Sequence, residues 1–482
     1  MCAISLGAAE WGWRNAPAAN FYLIVTRAWE LGAGAICALV LHGRVLRPDT
    51  RLASLGLGMI LFSVFAYDAN TPFPSLYALV PVIGTALVIL FAGPETPVGR
   101  LLSLRGMVGI GLISYSAYLW HQPLFAFARI RSLGHVEDAL MLILAATSLG
   151  LGWLSWRYVE RPFRHGGGAL LRQTGVFVAS AAGLAAFIGF GLYGHLSEGR
   201  KSIWLAANPE KAQMYDLWNA SRAAMRVSET DNACRFRTGV LDEDVVARLN
   251  KCHSLHGSGL MVVGDSHAID LHRGYFQVWD GPFLFGFVGG GCRPHEERPP
   301  CDLDGLVAQL EAHPHLFSEV HYTQAGFHLL EASWGERGRN MFARSGITQP
   351  LDPEDYSTIP DRIEDIVNYL LRLNKHVPVT FVGPRIEPHI PWQAMIRLGC
   401  RYNYALRSGQ ADVFRNMDRT LSKVVEKNGL GYVSQVDGMS LDLGEDFMTC
   451  DTLYWADGDH WTSAGAARFV RRMVQEQTLE LP

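Results

Sequence analysis

The stretch Leu260-Met-Val-Val-Gly-Asp-Ser-His-Ala268 decides the fold of the C-terminal half of this 482-residue chain. Its four apolar residues predict a buried strand, Gly264 predicts a tight turn, and the residues after the turn predict a helix. Ser266 then lies at the start of a helix, where free backbone N–H groups and the helix dipole favour a developing negative charge. A serine in this position is either a nucleophile or, as is more common, a helix N-cap.

Strand and helix patterns alternate from this stretch to the C-terminus. Short apolar runs predict strands at 260–264, 283–288, 319–323, 377–382 and 431–435. Amphipathic periodicity predicts helices at 269–279, 303–311, 360–373, 411–428 and 464–476. Such alternation is typical of an α/β domain with a doubly wound, mostly parallel sheet. In such a sheet the functional site forms at the carboxyl ends of the strands, where Ser266 is expected.

A second polar motif, Asp457-Gly-Asp-His-Trp-Thr-Ser-Ala-Gly465, precedes the last predicted helix. A serine hydroxyl needs a base to accept its proton, and His460 can be that base. Asp457 can fix the tautomer of the imidazole and stabilise its charged form. Asp459 is a carboxylate of the same type, but as an immediate neighbour of His460 it is expected to point elsewhere. By itself, an Asp-x-x-His turn is more often a solvated surface loop than a catalytic motif. It predicts a catalytic site here only in combination with the Gly-Asp-Ser turn.

The N-terminal part of the chain is far more apolar. Residues 20–196 are dominated by Leu, Ala, Gly, Val and Phe, with apolar segments at 20–41, 52–67, 76–92, 107–128, 139–156 and 174–195. Several of them reach the roughly 20 residues that cross a bilayer core, while those at 52 and 76 are shorter. Six segments in succession predict an α-helical membrane bundle of about six spans, the last of which leads into the soluble domain.

Arginines in the connecting loops predict the orientation of these spans. The first, third and fifth connections carry the cations: Arg44, Arg47, Arg51, Arg100, Arg105, Arg157, Arg161, Arg164 and Arg172. The positive-inside rule places these loops in the cytoplasm, so the domain that follows Ser197 lies outside it.

The cysteines independently predict that the C-terminal half of the chain lies outside the cytoplasm. Six of the eight lie in the soluble half, an even number that is typical of disulfides in an oxidising compartment. The preferred pairs are Cys234–Cys252, Cys292–Cys301 and Cys400–Cys450, and scattered buried thiols are the alternative. Because the chain has no C-x-x-C pair, a zinc ribbon is not supported and no metal site is predicted. The net charge of -4, without a basic stripe, argues against nucleic acid as a partner.

Two polar groups lie inside the first predicted span. Arg27 and Glu30 are three residues apart and face neighbouring sides of one helix. Ionisable groups at this depth are costly unless they are paired or line a polar cavity, so they are candidate site residues. A structural ion pair or groups near the membrane interface explain them equally well. His121 follows an aromatic cluster of the kind found in interface belts.

Three motifs of the apolar part resemble membrane acyltransferase family 3: Arg27-Ala-Trp-Glu-Leu-Gly-Ala-Gly, Ile113-Ser-Tyr-Ser-Ala-Tyr-Leu-Trp-His-Gln-Pro and Tyr158-Val-Glu-Arg-Pro-Phe-Arg. The resemblance covers about 20–165 and corresponds to the later spans of that family. It implies acylation, often acetylation, of surface polysaccharides, peptidoglycan or other exported acceptors, with acyl-CoA (acetyl-CoA) as the ultimate donor. The family's arginine-and-histidine motif lies in its earliest spans, and nothing upstream of Asn20 can supply it in this sequence. A truncated gene product or a lost membrane step is therefore expected, and His121 is not given a catalytic role.

The two soluble motifs resemble the first and last blocks of the SGNH (GDSL-like) hydrolase superfamily, over roughly 233–470. This resemblance implies a three-layer, flavodoxin-like α/β domain with Ser266, His460 and Asp457 as nucleophile, base and orienting acid. The oxyanion hole would be formed by the Ser266 N–H with Gly290 or Gly291, and Gln324 would replace the family's asparagine. The expected domains are a partial acyltransferase-3 membrane region at 1–196, a linker at 197–232 and the SGNH domain at 233–482.

The sequence therefore predicts a membrane-bound O-acyltransferase that acts on a cell-surface glycan, embedded as a multi-pass protein in the bacterial inner membrane with its SGNH domain periplasmic. A carbohydrate esterase, in which water resolves the same acyl-enzyme, uses identical residues and is the first alternative. A truncated, inactive binding module anchored in the lipid bilayer is the second. Trp455 and Trp461 are candidates for stacking on sugar rings, although packing inside the domain is the more common use of such residues.

Overall fold

The computed structural model describes residues 1–44, 46–68, 71–132, 136–161, 173–227, 233–343 and 346–482. Two compact units account for these residues. One lies within Met1–Phe125 and Ala139–Arg172, and the other lies within Ala126–Asp138 and Gln173–Pro482. The predicted boundaries at 196 and 232 remain a prediction. Arg164, Arg172, the end of the Tyr158–Arg164 motif and positions 228–232 of the predicted linker lie outside the described residues.

The apolar part is helical, and each of the six predicted apolar segments coincides with a helix. The helices are Cys2–Asn15 (α1), Pro17–Tyr22 (α2), Ile24–Leu41 (α3), Thr50–Ala66 (α4), Leu79–Phe91 (α5), Pro97–Leu102 (α6), Arg105–Ser132 (α7), Asp138–Ser155 (α8) and Gln173–Leu196 (α9). Among the described residues, three stretches are long and apolar enough to cross a membrane: Ile24–Leu41, Asp138–Glu160 and Phe177–Leu196. The helices at Thr50–Ala66 and Leu76–Phe91 are apolar but shorter. The length and composition of these helices support a membrane region, and the number of spans stays a prediction.

Arg27 and Glu30 form an ion pair within α3, with 3.2 Å between Arg27 Nη2 and Glu30 Oε2. This contact agrees with the alternative in which Arg27 and Glu30 form a structural ion pair. Glu30 also lines a cavity of about 220 Å³, but most of the other lining residues are apolar, among them Pro81, Val82 and Ile89, so the role of this pair as a site stays a prediction. His121 contacts the backbone of Tyr118 in α7, with 2.6 Å between its Nδ1 and the carbonyl oxygen.

The second unit contains the predicted α/β domain. Its strands are Arg235–Thr238 (β1), Gly259–Gly264 (β2), Leu284–Val288 (β3), Phe317–Thr323 (β4), Leu330–Ala332 (β5), Tyr356–Thr358 (β6), Val379–Val382 (β7) and Gly431–Val433 (β8). The main sheet has the order β1-β3-β2-β4-β7-β8 and every pairing in it is parallel. The pair β5–β6 is antiparallel. The predicted α/β domain with a mostly parallel sheet is confirmed.

Each of the five predicted helices matches a helix of the α/β domain within a few residues, and the described residues from 201 onward contain further helices that were not predicted. The helices from 201 onward are Lys201–Ala207 (α10), Pro209–Val227 (α11), Glu243–His256 (α12), Ser266–Val278 (α13), Leu303–Ala312 (α14), Asn340–Ala343 (α15), Pro360–Asn374 (α16), Trp392–Leu398 (α17), Gln410–Lys427 (α18), Gln435–Gly438 (α19), Leu443–Asp446 (α20) and Ser463–Gln475 (α21). The sequence analysis did not predict β1, because an Arg-Phe-Arg-Thr strand at a sheet edge lacks an apolar run.

The central strand β2 is buried along its whole length. Because side chains alternate along a strand, Met261 and Val263 pack into one hydrophobic core and Leu260 and Val262 into the other. The strand ends at Gly264, whose φ of +140° is one that side-chain-bearing residues rarely adopt. A Cβ at this position would lie 1.9 Å from the Thr323 carbonyl oxygen. Only glycine therefore allows the chain to turn at this point and start α13.

Three disulfides cross-link the α/β domain: Cys234–Cys252, Cys292–Cys301 and Cys400–Cys450. This confirms the preferred pairing. Cys2 and Cys37, in the apolar part, are not bonded to another cysteine. The disulfides are consistent with folding in an oxidising compartment.

We expect the Cys400–Cys450 bond to contribute the most stability of the three. It closes a loop of 50 residues, against 9 for Cys292–Cys301. Loop-closure entropy then gives about 4 kcal/mol for the first bond and about 2.6 kcal/mol for the second. The free energy of unfolding of the Cys400→Ser/Cys450→Ser double variant, compared with Cys292→Ser/Cys301→Ser in denaturant titrations, checks this order. Equal losses would contradict it.

Candidate active site

Ser266 lies at the junction that its motif predicts, between the end of β2 and the start of α13. The N-cap of α13 is Asp265, whose carboxylate accepts a hydrogen bond from the His267 N–H at 2.9 Å. Asp265 also accepts from the Ala325 N–H, at 3.2 and 3.1 Å, which ties this turn to the end of β4. Because Asp265 caps the helix, the interpretation of Ser266 as an N-cap is wrong. The Ser266 hydroxyl is the first side chain of the helix.

The structure brings Ser266, His460 and Asp457 together. His460 Nε2 lies 2.9 Å from Ser266 Oγ. Its other ring nitrogen, Nδ1, lies 3.1 Å from each carboxylate oxygen of Asp457. Asp457 Oδ1 also accepts hydrogen bonds from the backbone N–H groups of Asp459 and His460, which hold the carboxylate in place. This geometry is that of a nucleophile, a base and an orienting acid. The three catalytic roles stay a prediction.

Asp459 corrects one detail of the sequence analysis, because it does not point away from His460. Its Oδ1 lies 3.4 Å from His460 Nδ1, and its side chain is buried. The cause is the tight loop closed by the bridge between Trp455 and Trp461, which turns both carboxylates toward the same ring nitrogen. Arg339 Nη2 contacts Asp459 at 3.1 Å and balances its charge. Two carboxylates thus compete for one N–H donor.

These carboxylates determine the protonation state of His460. Burial lowers the pKa of this imidazole, but the hydrogen bond to Asp457 raises it, as do Asp459 and the nearby charge of Asp270, and together they raise it to about 11. Burial likewise opposes ionisation of Asp459, yet the nearby imidazoles of His267 and His460 bring its pKa well below the usual range. His460 is therefore mostly charged at neutral pH, and it must lose a proton before it can act as a base.

Asp270 links the nucleophile helix to the histidine loop. It lies four residues after Ser266, one turn further along α13 and on the same face. Its Oδ2 accepts a hydrogen bond at 2.9 Å from the backbone N–H of Trp461, the residue after His460. The helix that carries the nucleophile thus also fixes the position of the base.

Arg385 completes this buried link. Its Nη2 lies 2.5 Å from Asp270 Oδ2 and donates a hydrogen bond at 2.6 Å to the carbonyl oxygen of Asp459. Arg273 Nη1 binds the other oxygen of Asp270 at 2.8 Å. The peptide groups on both sides of His460 are therefore held by one buried pair, Asp270 and Arg385. Nothing in the local sequence signals this pair, since its members are 115 residues apart.

We expect Asp270→Asn to lower both stability and the pKa of His460. The substitution leaves Arg385 without its buried counter-charge, which costs about 3 kcal/mol in the free energy of unfolding. It also removes one negative charge that raises the His460 pKa, so the acid limb of the pH–rate profile moves to lower pH. Denaturant titration and pH–rate profiles measure the two effects.

Asp412→Asn is the matched control for this variant, because Asp412 pairs with Arg415 on the exposed face of α18. A surface pair of this kind contributes about 0.5 kcal/mol. An unshifted acid limb in Asp270→Asn would contradict the electrostatic part of this prediction.

The proposed oxyanion groups lie at the ends of the strands on either side of β2. Gly290 and Gly291 belong to the turn after β3, and the N–H of the preceding Gly289 donates to the Gly264 carbonyl oxygen at 3.1 Å. Gln324 follows β4 and is buried, with its Oε1 accepting from the Tyr322 hydroxyl at 2.6 Å. Its amide nitrogen has no hydrogen-bond partner among the described residues. Gln324 is thus a donor with spare capacity beside the nucleophile turn, and the oxyanion role of all three stays a prediction.

One group of potential metal ligands is present in the described part of the chain: His267, Asp459 and His460 have donor atoms within 4.8 Å of one another. A metal ion bound there would take a ring nitrogen of His460, and each of these nitrogens now contacts either Asp457 or Ser266. It would therefore compete with the Ser–His–Asp arrangement.

The aromatic candidates Trp455 and Trp461 are fully buried. Trp461 packs against Phe469 of α21 at 5.1 Å between ring centroids, so both tryptophans serve the core of the domain. A different tryptophan pair, Trp218 and Trp392, borders the site. Sequence analysis missed it because Trp218 lies in the segment taken as a linker.

Known proteins and solved structures include some that are similar to parts of this chain. No family model matches the chain. It is 26% identical over 186 residues to a putative membrane-bound transacylase of Komagataeibacter xylinus, which covers 37% of this chain and 47% of the relative. It is 27% identical over 164 residues to a putative peptidoglycan O-acetyltransferase of Bacillus subtilis (31% and 25%) and 25% identical over 166 residues to the peptidoglycan O-acetyltransferase of Listeria monocytogenes (31% and 26%). The chain thus spans less than half the length of each of these relatives.

Among solved structures, the periplasmic domain of a lipopolysaccharide acetyltransferase from Salmonella ser. Paratyphi A matches 56% of this chain and 100% of its own, with 15% identity and a TM-score of 0.36. A GDSL-like lipase from Bacteroides thetaiotaomicron matches 46% of this chain and 89% of its own, with 10% identity and a TM-score of 0.24. Part of this chain is thus similar to a membrane-bound transacylase and to peptidoglycan O-acetyltransferases, in agreement with the resemblance found in the sequence, while its assignment to membrane acyltransferase family 3 and to the SGNH superfamily stays a prediction.

Proposed function

We propose that this protein is a membrane-bound O-acyltransferase that transfers an acyl group, with acetyl as the expected one, to a hydroxyl of a cell-surface glycan or another exported acceptor. The observation that supports this most strongly is the continuous contact from Ser266 Oγ through His460 to Asp457. The names of the relatives, which are O-acetyltransferases and a transacylase, support the reaction class.

The arrangement supports a two-step mechanism. Neutral His460 accepts the hydroxyl proton while Ser266 Oγ attacks the carbonyl carbon of the acyl donor. The bond to the donor's leaving group then breaks, His460 returns the proton to that group, and an acyl-serine ester forms. In the second step His460 takes the proton of an acceptor hydroxyl, whose oxygen attacks the carbonyl carbon of the ester. The bond between this carbon and Ser266 Oγ breaks, and His460 returns the proton to Ser266 Oγ. Each tetrahedral oxygen would be stabilised by the Ser266 N–H with Gly290 or Gly291 and Gln324.

The membrane region supplies the acyl group in this proposal. Acyl-CoA is the expected ultimate donor in the cytoplasm, and the α/β domain would lie in the periplasm or otherwise outside the cytoplasm. The three disulfides and the arginine distribution of the loops support that side of a bacterial inner membrane, crossed several times.

An esterase that hydrolyses acyl groups from a glycan is the second candidate. It is favoured by the open site, because the side chains of His460 and Asp457 are 27% and 33% exposed and water can reach the ester. Hydrolysis and transfer then differ only in which oxygen attacks the acyl-serine.

Acyl transfer by the purified full-length chain in detergent separates these candidates. With p-nitrophenyl acetate as the donor, release of nitrophenol is followed with and without glycan oligosaccharides, and acylated products are identified by mass spectrometry. Acceptor-dependent formation of acylated oligosaccharide supports the transferase. Release of nitrophenol at a rate that does not depend on the acceptor supports the esterase. Absence of turnover in the wild-type chain would contradict both and favour an anchored binding module.

A further inference from the structure

A cavity of about 600 Å³ opens directly at the candidate active site. Its lining includes His460, Asp457, Ala456 and Arg273 from the α/β domain. The remaining lining residues are Trp218, Arg222 and Met225 of α11, and Trp392 of α17. A segment that the sequence assigned to a linker therefore builds one wall of the cavity beside the catalytic histidine.

The two tryptophans of this wall are stacked. Their ring centroids are 4.6 Å apart and their planes differ by 18°. Trp218 also donates a hydrogen bond from Nε1 to the carbonyl oxygen of Ala456 at 3.3 Å, which fixes α11 against the loop that carries Asp457. Both rings are half-buried, so each retains accessible surface. Aromatic surface that is partly accessible beside a reactive group is typical of a binding site rather than of a core.

Arg222 gives this wall its charge. Its guanidinium carbon lies 4.8 Å from the centroid of the Trp218 ring, on a side chain that is otherwise exposed. No described carboxylate lies within 4.0 Å of Arg222, whereas Arg273 in the same cavity pairs with Asp270. A guanidinium held over an aromatic face keeps its in-plane N–H groups available for a carboxylate or a phosphate. The wall therefore combines an apolar surface with a cationic hydrogen-bond donor.

We propose that this cavity is the acceptor subsite and that it binds a sugar carrying a negatively charged group, a carboxylate or a phosphate, which pairs with Arg222. The pyranose ring packs against the Trp218–Trp392 pair and presents a hydroxyl to His460. This inference rests on the proposed transferase function, and it narrows the acceptor to an acidic glycan. It also makes α11, which connects the membrane helices to the α/β domain, part of the acceptor site.

Binding of matched monosaccharides to the full-length Ser266→Ala variant in detergent tests this proposal without any turnover. The probes are glucuronic acid, glucose 6-phosphate and neutral glucose, followed by tryptophan fluorescence. We expect the acidic sugars, or one of them, to bind at least about tenfold more tightly than glucose. The stronger of the two identifies the charged group as carboxylate or phosphate. In Arg222→Gln this preference is expected to disappear, and Arg222→Lys is expected to restore part of it.

Two further variants separate binding from structure. Trp392→Ala removes one ring of the stacked pair and is expected to weaken the binding of all three sugars by about tenfold. Trp204→Ala removes an exposed tryptophan of α10 that does not line the cavity, and it is expected to change nothing. Equal affinity of the wild-type site for glucose and both acidic sugars, or a preference that survives in Arg222→Gln, would overturn the proposal.

The outcome is distinguishable from failure of the proposed function. Acidic-sugar binding without any acyl transfer by the wild-type chain would overturn the transferase but leave the subsite. Acyl transfer without a preference for acidic sugars would leave the transferase and overturn the subsite.

Discussion

Ser266→Ala is expected to abolish acyl transfer and hydrolysis, with a fall in turnover of about 10⁴-fold or more. The substitution removes the oxygen that forms the acyl-enzyme, and no other hydroxyl is held 2.9 Å from His460 Nε2 among the described residues. The measurement is turnover of p-nitrophenyl acetate by the purified full-length chain. Because Ser266 does not cap α13, the loss of its hydroxyl is expected to leave the free energy of unfolding nearly unchanged.

Ser254→Ala is the matched control, since this serine is exposed on α12 and bonds only to the Lys251 carbonyl oxygen among its described contacts. His460→Ala is expected to be as damaging as Ser266→Ala, and the double variant no worse than either, because the two residues act as one unit. Turnover that survives Ser266→Ala at the wild-type rate would exclude the serine-based mechanism.

Asp457→Asn is expected to produce the next-largest loss after Ser266→Ala and His460→Ala, about 10³ to 10⁴-fold in turnover. An asparagine at this position can present its NH₂ group to His460 Nδ1 and so favour the tautomer that carries its proton on Nε2. That tautomer cannot accept the proton of Ser266. The loss should appear in turnover more than in the Michaelis constant for the acyl donor, because Asp457 acts through His460.

The pH–rate profile gives this variant a second readout. Since His460 must be neutral to act as the base and its pKa is raised, wild-type activity should rise as the pH increases above neutral. Removal of the Asp457 charge lowers that pKa, so the acid limb of Asp457→Asn should move to lower pH while the plateau falls.

Asp459→Asn separates the two carboxylates that face His460 Nδ1. Asp457 contacts this nitrogen with both oxygens at 3.1 Å, whereas Asp459 contacts it with one oxygen at 3.4 Å and is also engaged by Arg339. We therefore expect Asp459→Asn to lower turnover by only about tenfold. A loss equal to or larger than that of Asp457→Asn would show that Asp459 is the orienting acid.

The sequence predicted the elements of the α/β domain well because their signals are local. The apolar run that ends at Gly264 and the amphipathic pattern after Ser266 depend on burial and backbone conformation within a few residues. The strand β1 escaped this reasoning because it has two arginines in four residues, and the helix α11 was missed because it lies in the segment that was assigned to a linker.

The features of the candidate site likewise fall into those that local sequence predicts and those that depend on the tertiary structure. The sequence by itself determined the strand, the glycine turn and the serine at a helix start, and it placed Asp457 and His460 on one loop, because neighbours in the chain control these features. Only the tertiary structure brought His460 to Ser266 across 194 residues, Trp461 to Asp270 across 191, and Trp218 to Ala456 across 238. The return of Asp459 toward His460 also required the closed loop. Contacts of this kind depend on how the whole chain packs, and no short segment encodes them.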